Sequence, residues 1–220
     1  MKKHCILIMT VIVLILNTGC GSSQDKAEQS TGLIQPQGNH QQVESFVDII
    51  KQDHYYLECT AYIMGNKKQM TFAVQGKNCN TEIQGFGLTL RNLIRDGKTY
   101  IINKDKKVYA VSSVEGWMDL AKNGLVDYKK MKFVKKGRET IEDLKSVDQQ
   151  KYEYEEYNVD TGNLIPVITY YFKGKELYAI TTEVSDFSMT MIIKKLTGEV
   201  PKGTMTIPKG YKEVKESEVY

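Results

Sequence analysis

Histidine is scarce in this chain of 220 residues: there are three, and two of them, His40 and His54, follow the first 20 positions. That excludes most histidine-dependent designs, whether a nucleophile activated by imidazole or a histidine-rich zinc site. No G-x-S-x-G, Walker or H-E-x-x-H pattern occurs either. The four cysteines form no CxxC and no Cys/His spacing suited to a metal. Charge of one sign is also missing. The formal net charge is +3, and two of those charges are Lys2 and Lys3. Phosphate binding needs a clustered positive excess, so nucleic acid is not an expected partner. The sequence predicts no catalytic set, no cofactor and no metal, and therefore no enzyme.

One apolar run is present, and it is short. Cys5 to Leu16 reads CILIMTVIVLIL behind the basic Lys2 and Lys3. Twelve residues span about 18 Å as a helix, well under a hydrocarbon core of about 30 Å. The run is a signal peptide over 1–19 in this reading. It ends in Leu16-Asn17-Thr18-Gly19-Cys20 followed by Gly-Ser-Ser, which resembles the lipobox at which bacterial lipoproteins are diacylated on cysteine and cleaved before it. Asn17 stands where that pattern usually carries leucine, while Thr18 and Gly19 fit. The resemblance implies a mature chain beginning at Cys20, anchored by diacylglycerol to the outer, extracytoplasmic face of the cell membrane. Two acyl chains give stable anchoring where one is marginal.

Residues 20–41 are Gly, Ser, Gln, Asn and Pro with almost no apolar side chain, so they cannot bury enough surface to fold. They form a tether reaching about 25 Å as a flexible coil. One domain, 42–216, follows, with room for a real core.

Gln42 to Asp53 is predicted as a helix, because Val43, Phe46, Val47 and Ile50 share one face. The period then changes to two: Tyr55, Leu57, Cys59, Ala61 and Ile63 alternate with more polar residues, as do Met70, Phe72 and Val74. A four-residue loop at Gly65 to Lys68 sets Ile63 opposite Met70, Ala61 opposite Phe72 and Cys59 opposite Val74. Cys59 then lies on the first strand and Cys79 begins the third. Next-but-one strands are too far apart for a disulfide, so both are expected as thiols.

Further hairpins are expected. Ile83 to Arg95 leads into Asp96-Gly97, a type I′ turn signal. Thr99 to Asn103, a lysine-rich loop and Lys107 to Ser112 follow. Val114 to Asn123 suits a short central helix, Phe133 to Thr140 a strand, and Glu142 to Gln150 a polar insertion. The last third repeats the rhythm in Lys151 to Val159, Pro166 to Lys173, Glu176 to Val184 and Phe187 to Lys195. The fold class is mainly β with few helices: one strongly curved antiparallel sheet forming an incomplete barrel, covered by the N-terminal and central helices. So many strands normally curl or close.

Two patterns then stand out, the hairpin Ile94-Arg95-Asp96-Gly97-Lys98-Thr99-Tyr100 and Lys106-Lys107-Val108-Tyr109 after it. Glu153-Tyr154-Glu155-Glu156-Tyr157 precedes Tyr170-Tyr171-Phe172-Lys173, and the chain closes on Met205-Thr206-Ile207-Pro208-Lys209-Gly210-Tyr211. In order and spacing these resemble the LolA/LolB fold of lipoprotein carriers, and more closely the related uncharacterised lipoproteins of Gram-positive bacteria. The resemblance implies a bent sheet enclosing an apolar cavity under a helical lid, and a lipid or acyl ligand. The insertion around Asp143 to Gln150 departs from it and is expected to reshape one rim of the cavity.

Cys20 is the predicted lipid-attachment site. The candidate cavity residues are Leu57, Met70, Phe72, Trp117, Phe187, Met189 and Met191, because flexible, polarisable methionine suits surfaces that accommodate varied ligands. Glu153, Glu155 and Glu156 are expected on a solvated strand face rather than as paired catalytic carboxylates. The basic clusters around Lys104 to Lys107 and Lys129 to Lys136 are expected at solvated turns and edges. The alternative function is an envelope sensor or protein-interaction module with a filled core and no ligand; no protein partner is named by the sequence.

Overall fold

The structure is a computed structural model and describes residues 41–63, 65–85, 87–112, 131–159, 165–185 and 187–220. The expected signal peptide, Cys20, the expected tether, the expected central helix at Val114 to Asn123 and Trp117 lie outside the described residues.

Helix α1 (Gln41–Lys51) leads into β1 (His54–Ile63), β2 (Asn66–Gln75), β3 (Asn78–Gly85), β4 (Leu88–Arg95), β5 (Lys98–Asn103) and β6 (Val108–Val111). After residue 130 come β7 (Met131–Thr140), a 3-10 turn at Glu142–Leu144, β8 (Lys151–Val159), β9 (Val167–Lys173), β10 (Glu176–Val184) and β11 (Phe187–Thr197). The two-residue β12 (Lys212–Glu213) and helix α2 (Glu216–Val219) complete the chain. The strands form one sheet in the order β12-β6-β5-β4-β3-β2-β1-β11-β10-β9-β8-β7. Two meanders are thus joined where β1 pairs antiparallel with β11. The sheet is open and curled and does not close into a barrel.

Because successive strand residues point to opposite faces, the register fixes which side chains meet. The row Ala61, Met191, Ile180, Tyr170 crosses four strands on one face. Val43, Phe46, Val47 and Ile50 of α1 pack on that face in the main core. Full burial of such a side chain stabilises by roughly 1.5–3 kcal/mol. The row Leu57, Phe72, Thr81, Asn92, Ile101, Ala110 continues the same face toward β6. There α2 closes it, with Val219 against Ile101 and Ala110.

Two register details differ from the sequence expectation. The β1–β2 hairpin pairs Ile63 with Asn66, Cys59 with Met70, Leu57 with Phe72 and Tyr55 with Val74. The connection between the paired Ile63 and Asn66 is therefore two residues long rather than four. Gly65 at φ +75° supplies the left-handed conformation that such tight hairpins require. Each partner moves by four positions, an even number, so every side chain keeps its expected face. Ile83 to Arg95 is likewise broken after Gly85, where Gly87 at φ +74° turns β3 into β4. The Asp96-Gly97 turn is as expected, with both residues at positive φ between the pair Arg95 and Lys98. The strand order sets β2 between Cys59 and Cys79, and both are buried thiols.

The insertion does not border the helix-covered face. Ile141 and Leu144 are buried against Tyr152, Tyr154, Tyr171 and Ala179 on the opposite side of the sheet. The segment carries just enough apolar surface to be drawn onto that face.

Beyond β11 the chain crosses the outer side of β3 and β4, where the guanidinium of Arg91 donates to the carbonyls of Thr204 and Thr206 and to Oδ1 of Asn80. It then passes the sheet edge as β12, parallel to β6, and ends in α2 under the other face. The packing thus runs on to Val219.

Candidate functional site

The alternation that makes β1, β2 and β11 strands also gathers the candidate apolar residues. Leu57 on β1, Met70 and Phe72 on β2, and Phe187, Met189 and Met191 on β11 all lie on the helix-covered face, in or against one cluster. Leu57, Met70 and Met191 are fully buried there. Phe72, Phe187 and Met189 are half-buried, as are Ile83, Met131 and Phe133 on the flanking strands. Helix α1 packs on β1 and β10 and so spans the intervening β11, with apolar residues of β2, β3 and β7 flanking it. Trp117 lies outside the described residues.

Beneath α1 runs a chain of rings. Phe46 and Tyr170, Tyr170 and Tyr157, and Tyr157 and Phe133 each stand with centroids 5.7 Å apart. The Tyr157 hydroxyl donates to Oε2 of Glu155 at 3.0 Å, and the Tyr170 hydroxyl lies 3.8 Å from the Met131 sulfur. Burial raises the pKa of both phenols far above the ordinary value. They are neutral donors in an apolar site. Glu155 corrects the expectation of a solvated acidic face. It sits opposite Tyr170 and is 5 % exposed, while Glu153 is exposed and Glu156 pairs with Lys135 at 3.2 Å on the other face. Glu155 is buried beside Tyr157 and Tyr170 of the main core; the alternation of Glu with Tyr carried no sign of that.

The thiol of Cys59 and the imidazole of His54 have concrete surroundings. Burial pushes the Cys59 thiol up to about 12, against a small opposing effect of Lys194, so it is no nucleophile at neutral pH. His54 is exposed at the start of β1. Among the described residues no cluster of three or more His, Cys, Asp or Glu is placed to hold a metal. No described helix is long and apolar enough to cross a membrane.

The opposite face has a different character. Between β1, β2, β3 and β11 lies an open groove of about 440 Å³ lined by Glu58, Gln69, Met70, Thr71, Glu82, Gln84 and Lys194. Lys194 donates to Oε1 of Gln69, and Lys104 pairs with Glu82 at 2.8 Å. The opposite face is therefore polar at this groove and apolar toward β8, β9 and β10, where the cluster around Ile141 and Leu144 packs.

No protein-family profile matches the chain, and no curated protein does. Among solved structures it is similar to an uncharacterized conserved protein from Thermus thermophilus, with TM-score 0.45 and 8% identity, covering 80% of this chain and 100% of that one. It is also similar to LprF from Mycobacterium bovis, with TM-score 0.42 and 10% identity, covering 76% and 98%.

Proposed function

We propose that the protein is a non-catalytic, membrane-anchored lipoprotein of the extracytoplasmic face that holds a lipid or acyl chain against the helix-covered face of its sheet. The observation that carries this reading is that Phe72, Phe187 and Met189 each border one apolar core and are half-buried, so that its margin under the helix-covered face stays partly uncovered. A surface of flexible thioethers and rings, partly uncovered next to a packed helix, fits a chain of methylenes without demanding one shape. The lipobox-like ending at Cys20 and the polar stretch after it support placement at a membrane, with the domain held about 25 Å from its anchor. The sequence resemblance to LolA/LolB carriers points the same way.

The test uses the mature chain from residue 20 with Cys20→Ser, so that no attached acyl group occupies the site. Native mass spectrometry after exposure to vesicles containing both dioleoylglycerol and dioleoylphosphatidylglycerol should show protein carrying lipid in about one-to-one ratio. Empty protein at every lipid concentration would leave the alternative, a protein-interaction module with a filled core.

A further inference from the structure

Tyr55 opens the helix-covered face at the His54 end of β1. It is 1 % exposed, and among the described residues its hydroxyl is the buried side-chain polar atom with no hydrogen-bond partner. A phenylalanine would fill the same space without stranding a donor, so the hydroxyl is a cost to the empty protein. Tyr55 lies opposite Val74, Val74 opposite Cys79, and Cys79 opposite Ile94. Asn92, two residues from Ile94 on the same face of β4, is a second buried polar side chain in an otherwise apolar stretch. Moving along the strands from Tyr55, the next rows on this face are Leu57 with Phe72, then Cys59 with Met70 and Ile83. A polar end thus leads directly into the apolar candidate residues.

We propose that the Tyr55 hydroxyl is the polar anchor of this face and donates to an ester carbonyl of a neutral diacyl glycerolipid whose chains lie along Phe72 and Met70. The inference rests on the lipid-binding reading above and names the chemistry of its ligand. An ester is favoured over a free carboxylate or phosphate by what surrounds the hydroxyl. From Tyr55 to Cys59 and across to β4 the face carries no lysine or arginine. Toward the loop between β1 and β2 the first lysine on this face is Lys68, opposite Ala61, about 20 Å away at ~3.3 Å per residue, and at the other end Lys77 stands exposed in the turn between β2 and β3, beyond the pair Val74 and Cys79. An ionised head group there would be buried unpaired, which is far costlier than burying a carbonyl that accepts a hydrogen bond. Burial, with the Cys79 thiol and Asp53 carboxylate nearby, raises the Tyr55 pKa and keeps the hydroxyl a donor.

The experiment compares the mature Cys20→Ser chain with the same chain carrying Tyr55→Phe. Each is titrated with dioleoylglycerol and with oleate delivered from cyclodextrin, and each is melted without lipid. Tyr55→Phe should bind dioleoylglycerol about two- to tenfold more weakly, the range expected for one neutral hydrogen bond, and should melt no lower than its parent when empty. Oleate should bind more weakly than the diester to the parent chain. Equal dioleoylglycerol affinity in the two chains overturns the anchor and leaves the lipid face standing. A lower melting temperature of empty Tyr55→Phe overturns it as well, because the hydroxyl then has a partner within the protein. A parent chain that takes up neither lipid overturns the underlying reading and the anchor with it.

Discussion

The Thr190 hydroxyl donates to Oδ2 of Asp143 at 2.7 Å, and through this bond the segment between β7 and β8 is fastened to the side of the sheet away from α1. Thr190 is fully buried and its Oγ1 also lies 2.9 Å from Oγ1 of Thr181. Ser188, two residues earlier on the same face, donates to the same carboxylate at 3.3 Å. Asp143→Ala removes an acceptor shared by two hydroxyls and should cost about 1–2 kcal/mol in urea unfolding. Lipid uptake on the other face should be unchanged.

Arg91 holds the C-terminal segment in the same way from the other half of the sheet. Its guanidinium serves Asn80 and the carbonyls of Thr204 and Thr206 together, a fork that the single ammonium of lysine cannot reproduce. Arg91→Met and Arg91→Lys should both cost about 2 kcal/mol or more. Limited proteolysis should then cut first between residues 200 and 215, whereas in the unaltered chain this segment should resist as long as the sheet does.

The stability of the insertion should depend on acid. Asp148 accepts a hydrogen bond from the Tyr152 hydroxyl at 2.6 Å and from the Gln150 amide at 2.9 Å, and these bonds hold its carboxyl below the ordinary pKa. With the folded value lower than the unfolded one, the carboxylate contributes stability above about pH 4, and that contribution is lost as pH falls through the folded value. Asp148→Asn should therefore lie below the parent chain in urea midpoint at pH 7, and the gap should narrow steadily as pH falls below about 4. A gap that stays constant across this range would contradict the assignment.

Both thiols should be silent in the folded protein. Cys59 and Cys79 are buried, and burial lifts the Cys59 pKa to about 12. The mature Cys20→Ser chain should release no chromophore from a disulfide reagent at pH 8 until denaturant is added, and then react at two sites.

What the sequence disclosed, and what it hid, follows from the range of the forces involved. Helix α1 and the strands are local patterns, so Val43, Phe46, Val47 and Ile50, and Tyr55 to Ile63, announced their faces directly. The β1–β2 register was off by four, yet Leu57, Phe72 and Met70 still share a face, because parity survives an even shift. Thus the apolar members of the candidate face were legible, while their exact neighbours were not. Glu155 and Tyr55 escaped notice for a different reason. The burial of one and the unpaired hydroxyl of the other depend on which distant strand or helix arrives overhead. Pro201 to Gly210 has no periodicity to read, and only the structure shows that its carbonyls receive Arg91.

The most direct test of the proposed lipid-binding face is photo-cross-linking of the chain from residue 20, carrying Cys20→Ser, to a diacyl glycerolipid bearing a diazirine in one acyl chain, followed by peptide mapping. Cross-links should fall on the segments carrying Met70 and Phe72 and on Phe187 to Met191. No cross-linking, or cross-links confined to the opposite face at Glu58, Gln84 and Lys194, would contradict a ligand held under the helices.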